Sequence, residues 1–238
     1  MPDTDVTTVA DVLADTPLIH QWMSEGGLMT HGLLPEAMAY LERTVQPGQR
    51  TLETGSGLST ITFALRGAHH TCVTPDPTEA ERIRQYCTEH GIDVSRLTFH
   101  HARSEHVLPQ LEIEPLDLVL IDGSHSFPQV FIDWFFSQRA LKVNGLLVVD
   151  DVHIWTGRVL RDFLRAEPEW ELVERWAGRT VVFRKTAEYD DGKDWADQAY
   201  VWNRTRPETL GRARMAAGLL RAGDFKEFSR RVRALTRR

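Results

Sequence analysis

Leu118-Val119-Leu120-Ile121-Asp122-Gly123-Ser124-His125 is the stretch whose reading decides the fold. Leu146-Leu147-Val148-Val149-Asp150-Asp151 repeats its plan further along the chain. A short apolar run closed by a polar residue reads as a buried parallel strand, with the polar residue emerging at its carboxyl end. Ligands of open α/β sheets bind just outside those ends. Neighbouring strands lie about 4.8 Å apart, so Asp122, Asp150 and Asp151 can converge on one point. Carboxylates there repel by roughly 4 kcal/mol per pair at about 4 Å, with an effective dielectric near 20. No Lys or Arg sits within either stretch to relieve this. The acids either splay toward backbone and solvent or hold a divalent cation, and the cation is the expectation.

Around these strands the chain reads as a helical preface, an alternating β/α core and a helical tail. Residues 8–45 have a helical pattern broken at Gly26-Gly27 and Gly32, with Pro35 suited to a first helical position. Strands are expected at 50–54, 70–74, 97–100, 118–121 and 146–149, with helices at 59–65, 78–89, 127–141 and 159–164. After Pro168 the pattern changes. Trp170–Trp176 and Arg179–Arg184 flank Ala177-Gly178 as an antiparallel hairpin. Strands alternating with helices imply a doubly wound, mostly parallel α/β sheet, here closed by the hairpin. The expected divisions are a cap over 1–47, a core domain over 48–186 and an extension over 187–238.

Composition narrows the class. A chain of 238 residues, 42% hydrophobic and 26% charged, suits one ordinary globular α/β core with appendages. Two cysteines, Cys72 and Cys87, are too few for a disulfide framework or a thiolate metal site, which points to a reducing cytoplasm. The start lacks a basic segment followed by an apolar one, and no run is long enough to cross a bilayer. The net charge of −6 is uneven, because residues 203–238 hold eleven Lys/Arg against three Asp/Glu, or +8 against −14 elsewhere. We expect a helical appendage ahead of a homo-oligomer contact, and a nucleic-acid contact last.

Glu53-Thr54-Gly55-Ser56-Gly57-Leu58-Ser59-Thr60 follows the first core strand and opens a helix. Small residues there let a ligand approach the backbone. A dinucleotide fingerprint would need a third glycine where Thr60 stands, and the Gly-Lys-Ser/Thr ending of a phosphate loop is absent.

The loop, strand order and hairpin together resemble the class I S-adenosylmethionine-dependent methyltransferases over roughly residues 48–185. The resemblance implies a Rossmann-like seven-stranded sheet and a cofactor held by Glu53, Thr54, Gly55, Ser56, Gly57, Ser59 and Thr60. It further implies a ribose-binding acid at Asp76, an adenine-side contact at Ser104 and a cofactor-side role for Asp122. Within that class, Asp122-Gly-Ser-His125 with Asp150-Asp151 resembles the metal-dependent O-methyltransferases that modify natural-product sugars. That likeness implies Mg²⁺ on Asp122, Asp150 and Asp151, with His125 as general base. A hard cation can bind two adjacent substrate hydroxyls and acidify one. A neutral imidazole, with an unperturbed pKa of about 6.5, can take that proton.

Other readings stay open. Asp122 and Asp150 can serve backbone groups instead, and His153 is a competing base. Met23, Met29 and His31 are candidates to line an acceptor pocket for a small molecule. The alternatives to a Mg²⁺-dependent O-methyltransferase are a metal-independent methyltransferase and a non-catalytic nucleotide- or nucleic-acid-binding protein.

Overall fold

The computed structural model describes residues 6–21 and 28–221, with 223, 225, 226 and 229 beyond them. The chain divides into two compact units, Met1–Tyr189 and Asp190–Arg238. The first holds α1 (Val9–Ala14), β1 (His20–Gln21), β2 (Leu28–Met29) and α2 (Pro35–Thr44), then β3 (Arg50–Thr54), α3 (Leu58–Leu65), β4 (His69–Val73) and α4 (Pro77–Glu89). It continues through β5 (Leu97–His100), α5 (Ser104–Val107), β6 (Leu116–Ile121), α6 (Gln129–Ala140) and β7 (Leu141–Val149), and ends with α7 (Trp155–Ala166), β8 (Trp170–Trp176) and β9 (Thr180–Lys185). The second holds α8 (Ala199–Arg221), beside which the Trp195 and Trp202 rings lie 6.0 Å apart.

The preface is less helical than its periodicity suggests. Helix α1 is closed at its start by a capping box in which Thr8 and Asp11 satisfy each other's backbone N–H groups. Pro17 lies just past its end, and β1 and β2 then pair as a two-stranded antiparallel ribbon. Pro35 opens α2 as expected. Gly26, Gly27 and Met23 lie outside the described residues.

The main sheet runs β5-β4-β3-β6-β7-β9-β8. The first five strands are parallel, and β9 is antiparallel to both β7 and β8. Along β6, Leu118 and Leu120 enter the core on one face, while Val119 and Ile121 enter it on the other. Both faces of this strand are covered, which is why its sequence is nearly all apolar. From β3 the chain winds outward to β5, then returns to lay β6 on the other side of β3. That reversal is the switch point at which open sheets bind ligands.

The registers explain the edge above it. Thr54 pairs with Ile121, Ile121 with Val149, and Val149 with Val181. Gly55, Asp122 and Asp150 therefore leave the sheet side by side at the end of this row. Strand β9 runs the other way, so its beginning, not its end, reaches that edge. Ala177 and Gly178, both at positive φ, make the tight hairpin turn just before it. At the far end of β9 the buried Lys185 ammonium donates to the carbonyls of Gln138 (3.0 Å) and Leu141 (2.8 Å), anchoring the strand.

Candidate active site

Gly55 and Asp122 meet across the switch point. The Asp122 amide donates to the Thr54 carbonyl at 3.0 Å. Gly55 has φ +92, and a Cβ placed on it would overlap the Asp122 carbonyl oxygen and lie 2.9 Å from its carbon. Only glycine combines that backbone angle with so close an approach.

Beneath the loop, Glu53 turns inward rather than toward a ligand. It is 1% exposed and accepts from the hydroxyls of Ser59 (2.7 Å) and Thr60. The His70 Nε2 lies 3.1 Å away, and Thr51 Oγ1 is 2.7 Å from His70 Nδ1. The Thr60 hydroxyl also accepts from the Gly57 amide at 3.0 Å. Glu53, Ser59 and Thr60 thus form a buried polar brace for the first turn of α3. This corrects their expected place: Thr54, Gly55 and Ser56 line the pocket, whereas Glu53, Gly57, Ser59 and Thr60 do not. A buried carboxylate needs partners, and these hydroxyls are its nearest donors.

After β4, two acids share the pocket wall. Asp76 caps α4, accepting from the Thr78 amide (2.8 Å) and hydroxyl (2.7 Å). The Thr78 hydroxyl is the main reason its carboxyl titrates below the usual range. Glu79, one turn on, accepts from Ser56 Oγ at 2.6 Å and Thr74 Oγ1 at 2.9 Å. It ties the glycine loop to the end of β4, and the sequence reading passed over it. Its signal was available: position 79 is one helical turn beyond Asp76 and points back toward the strand. On the opposite wall Ser104 accepts from Gln129 Nε2 at 2.7 Å, and both line the pocket.

The N-terminal segment closes one side. The His31 amide donates to His20 Nδ1 at 3.2 Å, which leaves Nε2 as the donor to the Ser56 carbonyl at 2.9 Å. His20 and His31 both line the pocket. His31 was expected there, whereas His20 was not. The Met29 side chain lies outside the described residues.

The three acids do gather at the ends of β6 and β7, but with a cation neither stretch contains. Arg179, immediately before β9, donates from Nε to Asp151 Oδ1 at 2.8 Å and from a terminal nitrogen to Asp150 Oδ2 at 3.2 Å. That same nitrogen donates to the Gly32 carbonyl at 3.1 Å. Asp150, fully buried, accepts from the Thr180 hydroxyl at its other oxygen. Asp151 sits at φ +51, and its Oδ2 lies 3.2 Å from His125 Nε2. Asp122 Oδ1 lies 3.8 Å from the same nitrogen. The Thr156 hydroxyl fixes the His125 carbonyl.

This arrangement does not fit the expected Mg²⁺ site. Both oxygens of Asp150 are already taken, by Arg179 and Thr180, and Asp150 does not line the pocket. One oxygen of Asp151 is taken as well. Among the described residues no three of His, Cys, Asp and Glu stand as a metal-holding group. The repulsion that suggested a metal is answered by a guanidinium, which at these distances offsets carboxylate charge on the same scale of about 4 kcal/mol per contact.

Asp122 is the acid that Arg179 does not bond. Desolvation, then the carboxylates of Asp150, Glu53 and Asp151, push its carboxyl well above the usual range, with Arg179 pulling the other way. The folded state therefore holds this proton to higher pH than the unfolded chain does. Stability falls as pH rises through that window. Asp122→Asn should consequently melt higher than wild type at neutral and alkaline pH, by about 2–4 °C per kcal/mol recovered. The advantage should vanish in acid, below the unfolded carboxylate range. Melting curves across pH check it, and an advantage growing toward acid would contradict it.

A single cavity of about 470 Å³ joins these parts. The glycine loop, Asp76 and Glu79 line it together with Asp122, His125, Asp151 and Arg179. Among the described residues no helix is long and apolar enough to cross a membrane.

Residues 52–152 match a family described as a methyltransferase domain. No curated protein matches the chain. Among solved structures, an O-methyltransferase from Bacillus cereus in complex with SAH shares the fold at TM-score 0.57 and 17% identity, over 76% of this chain and 92% of that one. The SAH-bound methyltransferase of Podospora anserina does so at 0.53 and 18%, over 66% and 80%. Cofactor-bound Rv0187 from MTB does so at 0.56 and 19%, over 75% and 89%. The matched domain runs from β3 to just past the end of β7, the segment that carries the glycine loop, the switch point and the acids. By that domain match and by strand order, residues 52–152 carry a methyltransferase domain and the chain has the class I methyltransferase fold.

Proposed function

We propose that this protein is an O-methyltransferase that moves the methyl group of S-adenosylmethionine to a hydroxyl of a small molecule. One observation carries the reading: the cavity that holds the glycine loop also holds His125, with its ring anchored 3.2 Å from Asp151. Methyl transfer from a sulfonium needs in-line approach of the oxygen, so positioning supplies much of the rate. The remaining requirement is a base. With Nε2 held by Asp151, the other ring nitrogen of His125 takes the hydroxyl proton as the carbon–oxygen bond forms. The Asp151 carboxylate then stabilises the imidazolium. S-adenosylmethionine, when bound, would supply the methyl group and be left as the neutral thioether, and the residues described need no metal for the proton transfer. His153 is a weaker candidate, because its side chain is 59% exposed and it does not line the cavity. A sugar or another natural product is the acceptor class we favour, on the resemblance of the Asp122–His125 motif. The solved O-methyltransferase from Bacillus cereus, carrying SAH on the same fold, supports the cofactor side.

Within the cofactor half, we assign the ribose hydroxyls to Glu79 rather than to Asp76 alone. Asp76 spends Oδ1 on capping α4, while Glu79 lies between the loop and the strand end. Calorimetry with the demethylated cofactor should show a Kd on the order of micromolar, with no heat from a nicotinamide dinucleotide. Glu79→Gln should weaken that binding by roughly tenfold, the loss of about 1.4 kcal/mol expected for one charged hydrogen bond. Asp76→Asn, which still accepts from Thr78, should change it less. The reverse ranking would return the ribose to Asp76, and dinucleotide binding without cofactor binding would sink the proposed activity.

A further inference from the structure

We infer that Arg179 is the resident counter-cation of the acid cluster, standing where a divalent metal would otherwise be required. The inference rests on the methyl-transfer reading above and deepens it by assigning the charge chemistry of that site. Its guanidinium bonds one oxygen each of Asp150 and Asp151 and the Gly32 carbonyl. Three acceptors on two segments, the end of β7 and the N-terminal segment, fix its plane, and arginine keeps its charge at every working pH. Buried as deeply as Asp150 is, a carboxylate must be paired. Arg179 supplies that pairing from within the chain, so no ion has to be recruited for the fold or for the site.

Two consequences follow for the reaction. First, Asp151 is held by its Oδ1, which presents Oδ2 to His125. Arg179 is thus a positioning residue, acting on the proposed base through Asp151. Second, the acceptor is not chelated. A metal favours two adjacent hydroxyls on one ion, whereas an imidazole beside a fixed guanidinium needs only one hydroxyl. The acceptor class therefore extends to molecules with an isolated hydroxyl. The bond to Gly32 also ties the N-terminal segment to the site edge, next to His31 and His20 on the cavity wall.

The experiment is a titration of the full chain with Mg²⁺, and with Mn²⁺ as a paramagnetic probe, after chelator treatment. Wild type should show no saturable Mn²⁺ signal and no Mg²⁺-dependent melting shift at millimolar metal. Arg179→Gln should melt lower than wild type without metal, and should gain both a saturable Mn²⁺ signal and a rise in melting temperature with Mg²⁺. Arg179→Lys keeps a positive charge and should stay metal-silent. A saturable metal response in wild type overturns the inference. So does a silent Arg179→Gln that is shown to be folded, because Arg179 would then not be what stands in for the metal. If Arg179→Gln fails to fold, the same comparison is made with Asp151 freed by Arg179→Met and, independently, by the wild-type titration, whose positive result overturns the inference on its own. Calorimetry with the demethylated cofactor on the same samples separates the two readings: lost cofactor binding in wild type refutes the methyltransferase activity and leaves the metal result standing.

Discussion

His125→Ala should lose roughly 10²–10⁴-fold in methyl-transfer rate, the usual contribution of a positioned general base. That corresponds to about 3–5 kcal/mol of transition-state stabilisation. Binding of the demethylated cofactor should stay within about twofold, since the proposed reaction assigns His125 to the acceptor hydroxyl and not to the cofactor. Melting temperature should hardly move, because the ring is only partly enclosed and Arg179 still grips Asp151 when it is gone. The measurement is single-turnover methyl transfer to whichever hydroxyl acceptor wild type accepts, beside calorimetry on the same preparation. His153→Ala serves as the control and should be silent. A full rate in His125→Ala, or a larger loss in His153→Ala, would move the base to His153 and undo the geometry proposed here.

Gly55→Ala is the second large effect, and it acts on fold and cofactor together. The new methyl would overlap the Asp122 backbone, and φ +92 is itself unfavourable for an L residue. Backbone on both sides leaves nothing flexible to move aside. We expect a loss of about 4 kcal/mol, at the exceptional end for one substitution, and a fall in melting temperature of about 8–16 °C. Cofactor affinity should fall by more than tenfold, because β3 and β6 must part where the cavity floor lies. Gly178→Ala is the matched comparison. It too has positive φ (+64), but no atom lies within 4 Å of its Cβ position. It should cost only about 1 kcal/mol and leave cofactor binding unchanged. Equal losses in the two variants would mean that backbone angle alone, not the approach to Asp122, governs Gly55.

Leu118–Ile121 and Leu146–Val149 were legible as adjacent buried strands because a strand covered on both faces must be apolar along its whole length. The acids at their ends, the Gly55 turn and the hairpin over 170–184 followed from equally local signals. Helix in the stretch between α1 and α2 was over-read, because a scattered apolar pattern there serves a short ribbon and a cavity wall instead. Glu53 was placed on the ligand from its position before the glycines. The structure turns it under them, since the nearest hydroxyls, Ser59 and Thr60, lie on the first turn of the helix it supports.

Local pattern is enough to read the parallel core, the glycine loop and the gathering of Asp122, Asp150 and Asp151 at its strand ends. Each depends on periodicity or on a turn within a few residues. What neutralises those acids follows from long-range packing alone. Arg179 is 28 residues from Asp151 along the chain and reads as the first residue of an ordinary strand. Because β9 enters the sheet antiparallel beside β7, its start is set against the carboxyl ends of the parallel strands. A cation that no local pattern could assign to the site is thereby brought into bonding distance of it.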